Sequence, residues 1–200
     1  MNIARSVNVA LMVLLLVSTG NVGHSAEQAR AVFAGGCFWC MEEAFEKVDG
    51  VIFVTSGYMG GKTANPTYEE VSAGNTGHAE SVEVVYDPAK VGYQKLLDHF
   101  WKNVDPVTPN AQFCDHGSQY RAVIFYGNDQ EKQQAEASRQ AIVQSKRFKE
   151  PIVTEVTMAS KFYPAEDYHQ DFYKKNPIRY KFYKTSCGRV NRLEMLWGKS

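Results

Sequence analysis

Apolar positions along this chain switch repeatedly between strand-like and helix-like spacing, and the switches mark out its elements. A short apolar run from Ala31 stops at Gly35-Gly36, and from Cys37 onward Phe38, Met41, Phe45 and Val48 recur on one face. That pattern predicts a strand, a tight glycine turn and a helix whose first turn carries a thiol. Val51 to Tyr58 reads as a strand, and Met59 to Gly77, rich in Gly, Asn, Thr and Pro, as a long loop. Ala79 to Tyr86 alternates with period two until Asp87-Pro88 ends it. Val91 to Asn103 reads as a helix burying Leu96, Leu97, Phe100 and Trp101, and Val104 to Gln119 as a second long loop. Arg121 to Tyr126 reads as a strand, and Asn128 caps a polar helix to about Lys146 with Glu131 in the capping-box position. Ile152 to Met158 completes the strands. Beyond Phe162 the reading is one short helix, then a mobile tail over residues 183–200. Strands and helices alternate without a strict βαβ rhythm, so the fold class expected is α+β, a two-layer sandwich of helices on a mixed or antiparallel sheet.

Two features set the first residues apart. Arg5 stands in a short polar lead, and Val9 to Val17 is unbroken apolar but too short to span a bilayer. Small and polar residues then run to Ala26. Residues 1–26 therefore read as a secretory signal peptide, with cleavage after Ala26 despite the poor fit of His24, and the catalytic domain as residues 27–200. The expected destination is outside the cytoplasm, periplasmic or secreted. Stable membrane association after processing is not expected.

With 200 residues, 44 % of them hydrophobic, the chain can bury one domain's core. Its 22 basic and 22 acidic residues balance, and removing Arg5 leaves 21 basic. No basic block stands out, which argues against nucleic acid as a partner. A monomer is the default expectation.

The four cysteines look chemical rather than structural, since a domain of this size needs no staples. Cys37 falls at the predicted helix start, where free N–H groups and the helix dipole favour a thiolate. Gly35-Gly36, lacking Cβ atoms, would keep the approach to it open. Cys37-Phe38-Trp39-Cys40 is a C-x-x-C that reads as a redox pair, half a zinc site with Cys114 and Cys187, or a nucleophile with an incidental neighbour. Zinc is the weakest, because the other two thiols are single and far apart. Glu80 shares a strand face with Val82 and Val84, and a carboxyl aimed into an apolar site holds its proton at neutral pH. Asp115 and His116 are adjacent and so do not face each other as a dyad; His116 reads as a solvated loop residue. Glu166 and His169 have E-x-x-H spacing, but one copy without partner carboxylates makes no di-iron site. No metal or organic cofactor is expected.

Several motifs together resemble one known family. They are Gly36-Cys37-Phe38-Trp39 with Glu42, Gly57 through Gly61, Asn65-Pro66-Thr67-Tyr68, Gly74 through Glu80, Tyr86-Asp87-Pro88, Asp115 through Arg121 and Phe162 through Glu166. In that order, from about Val32 to Trp197, they are similar to peptide methionine sulfoxide reductase A. The resemblance implies that fold and that activity on the S epimer. Cys37 would be the nucleophile that becomes a sulfenic acid, and Phe38 and Trp39 the pocket for the S-methyl group. Glu80 would be the acid that protonates the sulfoxide oxygen, helped by Tyr68 and Tyr120, with Asp115 supporting the site. Electrons would come from thioredoxin or a similar dithiol protein. The chemistry is consistent: a sulfoxide sulfur is a poor electrophile until its oxygen is protonated, so the site needs a thiolate opposite a neutral acid.

The resolving thiol stays open between Cys187, Cys40 and Cys114. The family often places it in a C-terminal tail, which favours Cys187. Cys40 would close a very small ring at a helix start, a demanding geometry. Two other readings compete. A general thiol–disulfide oxidoreductase leaves Glu80, Tyr68 and Tyr120 unused, and a stapled binding domain requires bound zinc or no free thiols.

Overall fold

A computed structural model describes residues 28–199, so the signal-peptide reading of residues 1–26 lies outside the described residues. The predicted turn is present: strand β1 (Ala29–Gly35) leads through Gly36 and Cys37 into helix α1 (Phe38–Glu46). Strand β2 (Val51–Met59), the short helix α2 (Tyr68–Ser72), strand β3 (Ala79–Tyr86) and helix α3 (Tyr93–Lys102) follow. Next come a small hairpin, β4 (Ala111–Gln112) with β5 (Asp115–His116), strand β6 (Ala122–Tyr126) and helix α4 (Asp129–Gln144). Strands β7 (Glu155–Met158) and β8 (Tyr163–Pro164) precede three helices, α5 (Phe172–Lys175), α6 (Pro177–Ser186) and α7 (Arg189–Trp197).

The main sheet runs β7-β6-β1-β3-β2-β8, with β6 and β7 parallel and every other neighbour antiparallel. This is the expected mixed sheet in an α+β fold. Phe33, in the centre of β1, faces Val82 across one ladder and Ile124 across the other. Its ring stacks on Phe45 of α1 at 4.9 Å and on Phe100 of α3 at 5.4 Å. One side chain thus joins the sheet to the two helices covering it. Trp101 Nε1 donates to Ser138 Oγ at 3.0 Å, holding α4 against α3. The opposite sheet face, with Val32, Ala34, Met59, Ala79, Val123 and Phe125, is covered by Ala159 and Phe162.

The C-terminal region departs from expectation. Where an irregular tail was read, α6 and α7 stand, separated by Gly188 at φ +70°. Their apolar spacing hides them, because Ile178, Phe182 and Met195 point to solvent while Tyr180 and Arg189 are buried. These helices pack through phenol and guanidinium groups, which hydrophobic periodicity does not register. No helix among the described residues is long and apolar enough to cross a membrane.

Candidate active site

Cys37 occupies the N-cap of α1, and its carbonyl accepts from Cys40 N at 3.1 Å and Met41 N at 3.3 Å. The N–H of Phe38 points instead at Glu80 in β3, donating to Oε2 at 3.0 Å. The glycines before Cys37 do a different job from the one expected. A Cβ on Gly36, at φ +81°, would lie 2.5 Å from Gln112 Cβ, and one on Gly35 would lie 2.7 Å from Met41 and Val104. They let the turn pack against its own core; neither borders the site.

A small cavity of about 60 Å³ opens at this turn, lined by Cys37, Phe38, Trp39, Tyr68, Glu80, Asp115, Tyr120 and Tyr183. The structure therefore brings together the expected nucleophile, acid, aromatic wall and polar donors, drawn from six separate elements. Tyr58 lies opposite Glu80 in the sheet and gives its hydroxyl to Glu166 at 2.9 Å. Glu166 also receives the Tyr68 backbone N–H at 2.8 Å. The same helix start is fixed by a capping box between Thr67 and Glu70. Tyr120 closes a 3-10 turn, Ser118–Tyr120, braced by the Arg121 guanidinium on Ser118 O and Gly77 O. Trp39 stacks on Phe172 with centroids 3.8 Å apart and donates to His169 Nδ1 at 3.1 Å. Glu166 and His169 thus position Tyr68 and Trp39, and His116 is exposed as expected.

Sequence reasoning missed Tyr183. Its hydroxyl donates to Asp115, and it enters the cavity from α6, in the segment read as irregular. Asp115 is brought to it by the β4–β5 hairpin. A disulfide between Cys114 and Cys187, with Cα atoms 4.9 Å apart, ties that hairpin to the end of α6. These sulfurs are bonded to each other, so the zinc reading that needed them as thiolates fails.

Cys37 and Cys40 are the free thiols, both buried in one cluster with Phe172 and Tyr180. The arrangement that looked demanding from the sequence already places these side chains together. Burial pushes the Cys37 thiol well up, and hydrogen bonding to Cys40 and the Cys40 charge push the same way. Cys40 is brought down to about 6, foremost by hydrogen bonding with Cys37, with help from Arg189. This corrects the expected low-pKa Cys37: burial pushes the Cys37 thiol up, and Cys40, bonded to Cys37 and beside Arg189 and Lys184, is the thiol held down. Arg189 is itself buried, donating to Asn103 O at 2.6 Å and lying 4.5 Å over the Phe113 ring.

Burial raises Glu80 to about 8 against the opposing Phe38 N–H, so the carboxyl carries a proton at neutral pH. Tyr68 is raised to about 12, and Tyr120 and Tyr183 are raised as well, each mainly by burial, so all three remain donors. Burial raises Asp115 too, countered by the Tyr183 hydroxyl.

A cysteine facing a neutral carboxylic acid across a cavity walled by aromatics and phenols defines a thiol-dependent oxidoreductase whose substrate carries an oxygen to be protonated. The chain belongs to the peptide methionine sulfoxide reductase family, whose sequence profile matches residues 29–200. It is 51 % identical over 174 residues to peptide methionine sulfoxide reductase MsrA of Bacillus subtilis, covering 87 % of this chain and 98 % of that one. It is 50 % identical over 168 residues to the MsrA of Listeria innocua, covering 84 % and 95 %. Among solved structures it is similar to reduced Mxr1 from Saccharomyces cerevisiae, with TM-score 0.71 and 30 % identity over 76 % of this chain and 88 % of that one. Methionine sulfoxide reductase A of Corynebacterium diphtheriae gives TM-score 0.68 and 33 % identity over 78 % and 77 %.

Proposed function

We propose that the protein reduces the S epimer of methionine sulfoxide, free or within polypeptides, and so repairs oxidised methionine. The observation that carries this is the meeting of Cys37 and protonated Glu80 on one cavity walled by Phe38 and Trp39. The S-methyl group packs against Phe38 and Trp39, and the sulfoxide oxygen takes hydrogen bonds from Tyr68 and Tyr120. Cys37 passes its proton along the hydrogen bond to Cys40 and attacks the sulfoxide sulfur as a thiolate. Glu80 protonates the sulfoxide oxygen. The substrate S–O bond then breaks as the hydroxyl passes to the Cys37 sulfur. The S–S bond formed in the attack breaks with it, so that the thioether leaves and Cys37 is left as a sulfenic acid. A second thiol then condenses with the sulfenic acid, forming a disulfide and releasing water. Thioredoxin or a similar dithiol protein returns the enzyme to its reduced state. The enzyme acts as a monomer and works outside the cytoplasm, a reading supported by the apolar run Val9 to Val17 and the small residues after it.

The test is methionine formation from the separate S and R epimers of N-acetyl-methionine sulfoxide with dithiothreitol, for wild type and Cys37→Ser. Turnover of the S epimer alone, lost in the variant, is expected. No turnover of either epimer by folded, reduced protein overturns the reading. N-terminal sequencing of protein from the culture fluid or periplasm tests export; a start at Met1 counts against it.

A further inference from the structure

Glu42 and Glu46 stand one turn apart on α1, a spacing at which like charges repel. Asp171, 129 residues beyond Glu42 in the chain, is folded against them. One carboxylate oxygen from each of the three lies within 4.8 Å of the other two. None of the three lines the substrate cavity, and the proposed reaction uses none of them. The other close group of donors, Cys114, Asp115 and Cys187, has its sulfurs joined in a disulfide.

The three acids share one cation. Lys174 Nζ lies 2.6 Å from Glu46 Oε2 and 2.7 Å from Asp171 Oδ1, and the Tyr173 hydroxyl also donates to Glu46. Glu42 is left short. It is 1 % exposed, and its Oε1 accepts the Asp171 N–H at 3.0 Å. Its Oε2 is buried with no hydrogen-bond partner among the described residues, a condition that native folds seldom tolerate. Burial, with the Glu46 and Asp171 charges, raises Glu42 to about 7 against that N–H. The cluster is nonetheless open on one side, because the Asp171 and Lys174 side chains are 42 % and 52 % exposed. An ion can enter there as the ammonium swings out.

We infer that Glu42, Glu46 and Asp171 bind a hard divalent cation, Ca²⁺, which displaces the Lys174 ammonium and clamps the start of α5 onto α1. The donors are all oxygens, the ligand type that suits hard cations rather than those favouring thiolate or imidazole. Oxygens on opposite sides of Ca²⁺ stand about 4.6–5.2 Å apart, against about 4.0–4.2 Å for Mg²⁺. Donors up to 4.8 Å apart therefore fit Ca²⁺ without being drawn together. Glu42 Oε2 gains the partner it lacks, and water completes the shell on the exposed side. Three carboxylates in a part-exposed setting should hold the ion with a Kd of about 10⁻⁴–10⁻³ M, the range of extracellular Ca²⁺ modules. The substrate cavity feels the clamp at one remove. Phe172 follows Asp171 and stacks on Trp39, so an ion that fixes Asp171 also fixes the support of the indole.

The test is thermal unfolding of the full-length protein, stripped with EGTA and titrated with CaCl₂, with KCl at matched ionic strength as the control. Tm should rise with Ca²⁺ beyond the KCl control, and calorimetric titration should give one ion per chain at about 10⁻⁴–10⁻³ M. Glu42→Gln and Asp171→Asn, which keep the shape and remove a charge, should each weaken binding roughly tenfold or more. Lys174→Met removes the competing ammonium and should tighten binding about tenfold. A Tm that responds to CaCl₂ no more than to KCl leaves Lys174 as the cluster's cation and overturns the inference. Binding retained in full by both Glu42→Gln and Asp171→Asn places the ion elsewhere and also overturns it. An affinity unmoved in Lys174→Met shows that the ion does not take the ammonium's place, with the same consequence.

Discussion

The backbone N–H of Phe38 donates to Glu80 Oε2 at 3.0 Å, which ties the proposed acid to the helix that carries the proposed nucleophile. The bond holds the carboxyl at the Cys37 turn, and burial keeps it protonated in spite of that bond. Orientation and protonation state are therefore set by opposing influences on one side chain.

With Glu80 raised to about 8, the acid is available below that pH, and the sulfoxide reduction rate should fall as pH rises through it. Glu80→Gln should lower the rate of methionine formation by roughly 10²- to 10⁴-fold and abolish that alkaline limb. Single-turnover rates across the pH range read both; an identical limb in the variant would assign it to another group.

Stability should respond to the same group. A carboxyl whose folded pKa exceeds its unfolded one binds more protons when folded, so folding weakens as pH rises from the unfolded pKa towards about 8. Glu80→Gln should accordingly gain in Tm relative to wild type between pH 5 and pH 8. Calorimetric scans at the two pH values give the comparison, and a gain that shrinks with pH contradicts it.

Phe172 is nearly fully buried beneath the Trp39 indole. Phe172→Ala should destabilise the protein by about 3–5 kcal/mol and, in whatever folds, raise KM for sulfoxide, because Trp39 loses its support. Denaturant unfolding and steady-state kinetics measure the two effects. An unchanged KM would mean that the His169 bond alone holds the indole.

The Cys114–Cys187 bond closes a separation of 73 residues. Cys114→Ser/Cys187→Ser should lose on the order of 2–5 kcal/mol of stability. Wild type in strong reductant should melt like the variant; a wild type insensitive to reductant would show the bond contributes little.

Arg189, with Lys184, favours charge on Cys40. Arg189→Gln should shift the lower thiol titration of the dithiol upward, read as the pH midpoint of alkylation. A midpoint that stays in place would assign the lowered value to Cys37, Tyr180 and Lys184 without Arg189.

Much of the site was legible because its chemistry is local. Cys37, Phe38 and Trp39 fall in one helical turn, and Glu80 sits on a strand whose alternation was plain. The hairpin around Asp115 and the helix starting at Tyr68 were read as loops, since two-residue strands and a five-residue helix offer no period. Tyr183 was invisible as a wall residue because its helix presents Phe182 and Ile178 to water. The lowering of Cys40 draws, beyond its bond with Cys37, on Arg189 and Lys184, which come to α1 only through tertiary packing. A helix-start argument applied to Cys37 alone cannot see them.

The order in which the chain is made gives the α6 contacts a further meaning. Cys37 and Cys40 lie near the start of the described residues, whereas Tyr183, Cys187 and Arg189 lie near the end. A nascent chain therefore presents its reactive thiols long before it can cover them. The cavity wall from α6, its latch on Asp115 and the cation beside Cys40 all emerge long after α1. Catalytic competence is thus withheld until α6 has been made, and a chain truncated before α6 would carry an exposed dithiol without the site that tames it.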